Sequence, residues 1–329
     1  MFEDLKRRAE RSVRLGLVML PAVFAGAGCA SVSTTASASS NYAGSHFGYT
    51  GSSLEGSIAP AGNTATASGA YFGMTIHRLV YNPLSPSVPT APFPPFSIRT
   101  FRLWDVVNWS TLEPASGTYD WTTLDSTIAV ARQYGVRDFI FTLGDVPGWA
   151  STDPVDACDG NLRGACNAPD MRAFDEFVTQ TVRRYCGVVQ YYETWNEPNL
   201  TAFWNSTDAQ LLVVAHDLYQ ITKDPANCGC TNGVCSPGGG INPNQVLPPS
   251  VSTLSQPVLT WLDKYLAAAG SSYPYADIAA FHGYGYAQPE DIAQAIPQLK
   301  KILAKHGLSA LELWDTEASL TMSALSNPF

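Results

Sequence analysis

Val188-Val-Gln-Tyr-Tyr-Glu-Thr-Trp195 runs straight into Asn196-Glu-Pro-Asn199, and Ala310-Leu-Glu-Leu-Trp314 runs into Asp315-Thr-Glu317. Each stretch is a short β-branched and aromatic run that delivers a carboxylate just past its end, Glu197 in the first and Glu317 in the second. A β/α barrel presents its working side chains at that position, on the loops that follow the C-terminal ends of its strands. At roughly 40 residues per strand-plus-helix unit, the interval between the two acids is three units, which carries the chain partway round one barrel mouth.

Working outward from these runs, short apolar segments alternate with amphipathic ones from residue 71 onward, the signature of a parallel α/β domain. Strands are predicted near 71–77, 97–104, 137–143, 188–195, 245–251, 277–283 and 310–316. Helical stripes fall between most of them: Leu124, Ile128 and Ala131, then Met171, Phe174, Phe177, Val178 and Val182 behind a capping Asp170. Leu211, Leu212, Ala215 and Leu218 mark a third helix and Val258 to Ala268 a fourth. A fifth opens at Pro289, carries Ile292, Ile296, Leu299 and Leu303, and ends at Gly307. The prolines from Pro83 to Pro95 exclude a helix between the first two strands. The fold class is therefore α/β, a (β/α)8 TIM barrel read as truncated after its seventh strand. Closure needs an eighth strand to cover the open edge, and none is visible after Glu317.

The N-terminus has a different texture. Lys6, Arg7, Arg8, Arg11 and Arg14 precede an apolar run from Leu15 to Ala27, so 1–29 reads as an export signal too short to span a bilayer permanently. The run ends at Gly28-Cys29, which resembles a bacterial lipoprotein signal in which Cys29 is lipidated and anchors the chain to a membrane; a simple cleaved signal with an incidental cysteine is the other reading. Residues 30–70 are rich in Ser, Thr, Ala and Gly and cannot repay the entropy of ordering, which makes them a linker. The domain proper is 71–329.

A chain of 329 residues with 45% hydrophobic residues can bury one large core. Its net charge of −9 offers no basic stripe for a phosphate backbone, which argues against nucleic acid as a partner. The six cysteines beyond Cys29 allow fifteen pairings, and export favours disulfides. Cys158 with Cys166 closes the shortest loop after the third strand. Cys228, Cys230 and Cys235 have a second reading as a metal knuckle, but no histidine lies nearby. The five histidines are scattered without metal-ligand spacing, so neither a metal nor an organic cofactor is implied.

Two carboxylates at one mouth fit glycoside hydrolysis, where one acid protonates the leaving oxygen and the other acts on the opposite side of the sugar. Glu197 is the better acid and Glu317 the nucleophile. Asn-Glu-Pro by itself also reads as a turn at a strand end. Its company adds weight, because Trp195, Trp204 and Trp314 lie beside the acids and aromatic rings stack on sugar faces, although tryptophans more often pack in cores.

A wider set of motifs resembles a bacterial branch of glycoside hydrolases similar to family 39, in the large retaining (β/α)8 clan. They are Phe72-Gly73-Met74-Thr75-Ile76-His77, Phe101-Arg102-Leu103-Trp104-Asp105, Leu112-Glu113-Pro114, Gly117-Thr118-Tyr119-Asp120-Trp121, Pro147-Gly148-Trp149-Ala150, Trp195 to Asn199, Phe281-His282-Gly283-Tyr284 and Trp314 to Ala318. The resemblance covers 71 to about 320. It implies Glu197 as acid/base, Glu317 as nucleophile, Asn196 as partner of the sugar 2-hydroxyl, and Arg102 as the cation that holds the nucleophile ionised. It also implies a pocket lined by His282 and Tyr284, with Trp149, His77 and Trp314 as further substrate contacts. His77 reads equally as a satisfied histidine at a strand end, and Glu113 and Asp120 read as capping or solvated charges. The substrate is then a β-linked carbohydrate chain met outside the cytoplasm. A non-catalytic carbohydrate-binding barrel is the alternative, and an acid-rich metal hydrolase is remote.

Overall fold

The computed structural model describes residues 72–318, apart from 78, 81–89, 95–97, 106, 271–274 and 287–290. The export signal, Cys29, the linker and Pro289 lie outside the described residues.

The strands are β1 (Gly73–Met74), β2 (Thr100–Leu103), β3 (Asp138–Thr142), β4 (Tyr191–Glu193), β5 (Gly229–Thr231), β6 (Val234–Ser236), β7 (Gln245–Leu247), β8 (Ile278–His282) and β9 (Glu312–Glu317). One sheet runs β1-β2-β3-β4-β7, every neighbouring pair parallel. β8 and β9 form a second parallel pair. Two parallel bridges, Asn196 to Ser250 and Val251 to Phe281, carry the ladder from β4 past the end of β7 and on to β8. Among the described residues this makes seven parallel strands in chain order with helices between consecutive strands from β2 onward, a partial (β/α)8 barrel. Six of the seven fall inside the ranges expected from sequence, and β9 overruns its range of 310–316 by one residue, Glu317.

Side chains alternate between the helix layer and the lumen, as the period of two requires. On β8, Ala279 and Phe281 join the main core under the helices, while Ile278 and Ala280 face inward with Leu247, Tyr191 and Trp314. The helix Met171–Arg184 shows why the outer layer is stable. Asp170 accepts from the backbone N–H of Ala173, Phe174, Phe177, Val178 and Val182 are buried, and Arg183 and Arg184 face the negative end of the dipole. Phe177 stacks on Trp109 with centroids 5.0 Å apart, which ties the loop after β2 to this helix.

One expectation changes, one holds, and one element is new. Glu113 is buried, accepting from Trp109 Nε1 and from the Gly117 backbone N–H, both at 2.8 Å, so it braces the loop from inside. Asp120 does cap, accepting from Thr122 N at 3.0 Å. The antiparallel hairpin β5–β6 was not expected.

The six cysteines described form three disulfides: Cys158–Cys166 as expected, with Cys186–Cys228 and Cys230–Cys235. The last two use the thiols that a metal knuckle would need. No helix among the described residues is long and apolar enough to cross a membrane.

Candidate active site

Arg102, on β2, sits in the lumen at 2% exposure and uses every edge of its guanidinium. Nε donates to Glu193 Oε2 at 2.7 Å, Nη1 to Glu317 Oε2 at 2.6 Å, and Nη2 to Asn196 Oδ1 at 2.8 Å. An arginine inside a barrel is sustained only by such pairing, because an unpaired buried charge costs several kcal/mol. One planar fork thereby fixes β2, β4, the loop after β4 and β9 relative to one another.

Glu317 ends β9. A register shift between Phe281 and His282 adds one residue to β9, and Thr316 and Glu317 both end up bonded inside the barrel. The Tyr284 hydroxyl donates to Glu317 Oε1 at 2.6 Å, opposite the Arg102 contact. Burial works against ionisation of Glu317, but the Arg102 charge, helped by His282 and the Tyr284 hydrogen bond, outweighs it and holds the carboxyl below its ordinary value. Tyr284 is driven the other way, its phenol raised by burial and by the Glu317 charge, so it stays a donor.

Glu197 follows β4 with φ at 44°, a left-handed conformation that costs a residue with a Cβ about 1 kcal/mol or more. The flanking backbone over-determines it: Asn196 N donates to Leu143 O at 3.2 Å, Ser250 N to Trp195 O at 3.0 Å and Leu200 N to Glu197 O at 2.9 Å. The result aims Glu197 back over the mouth, where its Oε1 shares a hydrogen bond of 2.7 Å with His282 Nδ1. That same nitrogen lies 3.9 Å from Glu317 Oε2. His282 is fully buried, whereas the Glu197 and Glu317 side chains keep 12% and 18% exposure, so the two acids are reachable from solvent and the imidazole between them is not.

Gly283 separates His282 from Tyr284 for a steric reason. Its N–H donates to Asp315 Oδ1 at 3.0 Å, and a Cβ built there would collide with the same carboxylate. Burial pushes the Asp315 carboxyl up to about 6.

The structure brings together Arg102, Asn196, Glu197, His282, Tyr284 and Glu317. The remaining sequence candidates fall around them. His77 Nδ1 lies 2.9 Å from Asp105 Oδ2 at the rim. Trp149 is partly exposed, but its Nε1 donates to Glu113 O at 3.0 Å and its ring meets the edge of Trp109, so it is anchored to the loop after β2. Trp314 departs from expectation. Three residues before Glu317, it packs against Tyr191 with centroids 4.8 Å apart, among Leu247, Ile278 and Ala280, and serves as lumen filling beneath the acids. Trp195 and Trp204 are buried edge-to-face partners that hold the loop carrying Glu197.

Sequence reading missed two groups. Glu193 is fully buried between Arg102, Thr142 and Thr316. It stands in the decisive stretch itself, and the reasoning that an arginine in an apolar strand needs a carboxylate applies to it in reverse. Asp145, on the loop after β3, is buried and accepts from Asn108 Nδ2 at 2.5 Å and from Asn161 Nδ2 at 3.4 Å; burial and the nearby Asp105 charge raise it to about 7.

No protein-family model matches the sequence, and no curated protein matches it. Among solved structures the chain is similar to a family 39 glycoside hydrolase from Bacteroides cellulosilyticus WH2, at 16% identity and a TM-score of 0.48, over 69% of this chain and 44% of that one. It is also similar to a xylanase from Paenibacillus barcinonensis complexed with a conduramine derivative, at 11% identity and a TM-score of 0.42, over 67% of this chain and 62% of that one. A third is the catalytic domain of a GH30 xylanase from Talaromyces cellulolyticus, at 16% identity and a TM-score of 0.37, over 57% of this chain and 44% of that one. The chain spans less than half the length of the first of these structures.

Proposed function

We propose that the chain is a retaining glycoside hydrolase that cleaves a β-linked oligo- or polysaccharide, with Glu317 as nucleophile and Glu197 as acid/base. The observation that carries this reading is the pair of contacts at His282 Nδ1, 2.7 Å to Glu197 and 3.9 Å to Glu317. Those two lengths together cap the separation of the contacting oxygens at the lower edge of the roughly 6.5–9.5 Å range of inverting enzymes, and any bend at the nitrogen moves them toward the ~5–5.5 Å of retaining ones.

The environments of the acids support a division of labour. Glu317, held ionised by Arg102 and Tyr284, attacks the anomeric carbon as the bond to the leaving oxygen breaks. Glu197 gives its proton to that oxygen, and a glycosyl ester forms on Glu317. In the second step a water yields its proton to Glu197, its oxygen displaces Glu317 from the anomeric carbon, and the sugar leaves with its configuration retained. Asn196 holds the 2-hydroxyl in this reading, and the hydrogen bond from Arg102 Nη2 to its Oδ1, which leaves the amide NH2 to donate, supports that role.

Action outside the cytoplasm is part of the proposal, supported by the three disulfides and the composition of 1–29. The test is hydrolysis of an aryl β-glycoside panel by the parent and by Glu197→Gln and Glu317→Gln. Loss of turnover in Glu317→Gln, with Glu197→Gln retaining activity chiefly on substrates with good leaving groups, is the expected result. Variants that match the parent sink the reading.

A further inference from the structure

Among the described residues Glu193 is the most enclosed carboxylate, and the proposed chemistry has no direct use for it. It is fully buried, and three side chains donate to it: Arg102 Nε at 2.7 Å and Thr142 Oγ1 at 2.7 Å to Oε2, and Thr316 Oγ1 at 2.8 Å to Oε1. These donors come from β2, β3 and β9, while Glu193 itself is on β4. A stabilising ion pair needs one partner; this one spans four strands and holds two groups beside Glu317, Arg102 and Thr316. Arg102 reaches Glu317 through Nη1, and Thr316 precedes it at the register shift.

We infer that Glu193 is a positioning residue for Glu317: it shares the Arg102 charge and fixes Thr316 at the register shift of β9, and so sets both the direction and the proton affinity of the Glu317 carboxylate. The assignment of Glu317 as nucleophile rests on the function proposed above; the electrostatic coupling rests on geometry alone. A guanidinium between two carboxylates divides its field between them, so withdrawing one negative charge strengthens its hold on the other. A nucleophile held too firmly by a cation is stabilised in the ground state as well as the transition state, and that gains no rate.

The other groups facing Glu317 are accounted for. Glu197 approaches from the loop after β4 and His282 from the end of β8, Tyr284 donates from beyond His282, and His77 and Asp315 contribute from the loop after β1 and from β9. None of them touches Glu193 through the bonds given above, so substitution there leaves their own contacts in place.

The experiment is a carbon-detected NMR titration of side-chain-labelled glutamate in the full chain, the Glu317 resonance assigned by its loss in Glu317→Gln. Glu193→Gln removes the charge and keeps the size, and the proton affinity of Glu317 should fall about tenfold. Thr142→Val removes one donor, throws Glu193 more heavily onto Arg102, and should raise that affinity about two- to threefold. A folded Glu193→Gln with an unmoved or raised midpoint overturns the inference. Should that variant not fold, Thr142→Val decides, and an unmoved midpoint there overturns it as well. Kinetics on the same proteins separates the two proposals: a parent without glycosidase activity sinks the functional reading and leaves the titration as the judge of the coupling. In an active parent, the acidic limb of kcat/KM should follow the titration, with KM nearly constant.

Discussion

Replacing Arg102 with lysine keeps the charge and removes the fork. The guanidinium makes three charge-assisted or polar bonds of 2.6–2.8 Å to Glu317, Glu193 and Asn196. A single ammonium on a shorter, non-planar head satisfies one carboxylate and leaves the other buried without its partner. Each hydrogen bond to a charged group is worth about 1.5–3 kcal/mol, and breaking a buried pair costs about 3–5 kcal/mol. Arg102→Lys should therefore destabilise the domain by about 3–5 kcal/mol, and at ~2–4 °C per kcal/mol for a domain of this size lower Tm by on the order of 10 °C. The assay is urea unfolding followed by tryptophan fluorescence, repeated across pH. Because Arg102 holds the Glu317 carboxyl low, that group's stabilisation is present above the unfolded carboxyl value and lost as pH falls through the folded one. The gap between parent and variant should thus be widest near neutrality and narrow below about pH 4. A gap under ~1 kcal/mol at pH 7, or one that widens on acidification, refutes the reasoning.

Further outcomes follow from other parts of the molecule. Asp145, raised to about 7 by burial, binds a proton in the folded state that the unfolded chain has released, so stability should decline between pH 4 and 7. Asp145→Asn should flatten that slope in calorimetric scans, and an unchanged slope would count against the burial argument. Phe177→Ala removes a fully buried ring stacked on Trp109 and should cost about 3–5 kcal/mol in the same unfolding assay. Cys186→Ser with Cys228→Ser opens a loop with a sequence separation of 42 and should cost up to about 4 kcal/mol, whereas opening Cys158–Cys166, with a separation of 8, should cost less. Tyr284→Phe deletes the donor to Glu317 Oε1 and should lower kcat about tenfold or more on aryl glycosides while the fold survives, as circular dichroism would report.

Much of this architecture is legible in the sequence because β2, β3 and β8 are buried on both faces and read as apolar runs, and the helices carry clear stripes. The acids are legible because each follows such a run. What stayed hidden has physical causes. The β5–β6 hairpin lacks apolar alternation, although Asn232-Gly233, both with positive φ, is the turn signal that marks it. Glu113 read as a capping or solvated charge, but Trp109 and the loop after β2 enclose it, and the carbonyl of Glu113 anchors Trp149. Trp314 shares the strand of Glu317, and strand direction alone does not say which lumen layer a ring fills. Glu193 was overlooked because Glu197 stands four residues on, and only the structure reveals which carboxylate Arg102 reaches with which edge.

The most direct measurement is covalent trapping. A 2-fluoro aryl β-glycoside of a sugar that the parent turns over should form a stable ester, and peptide mapping by mass spectrometry should find the added sugar on Glu317 in the parent and none in Glu317→Gln. Label on Glu197, or release of sugar with inverted configuration and no adduct, would contradict the account.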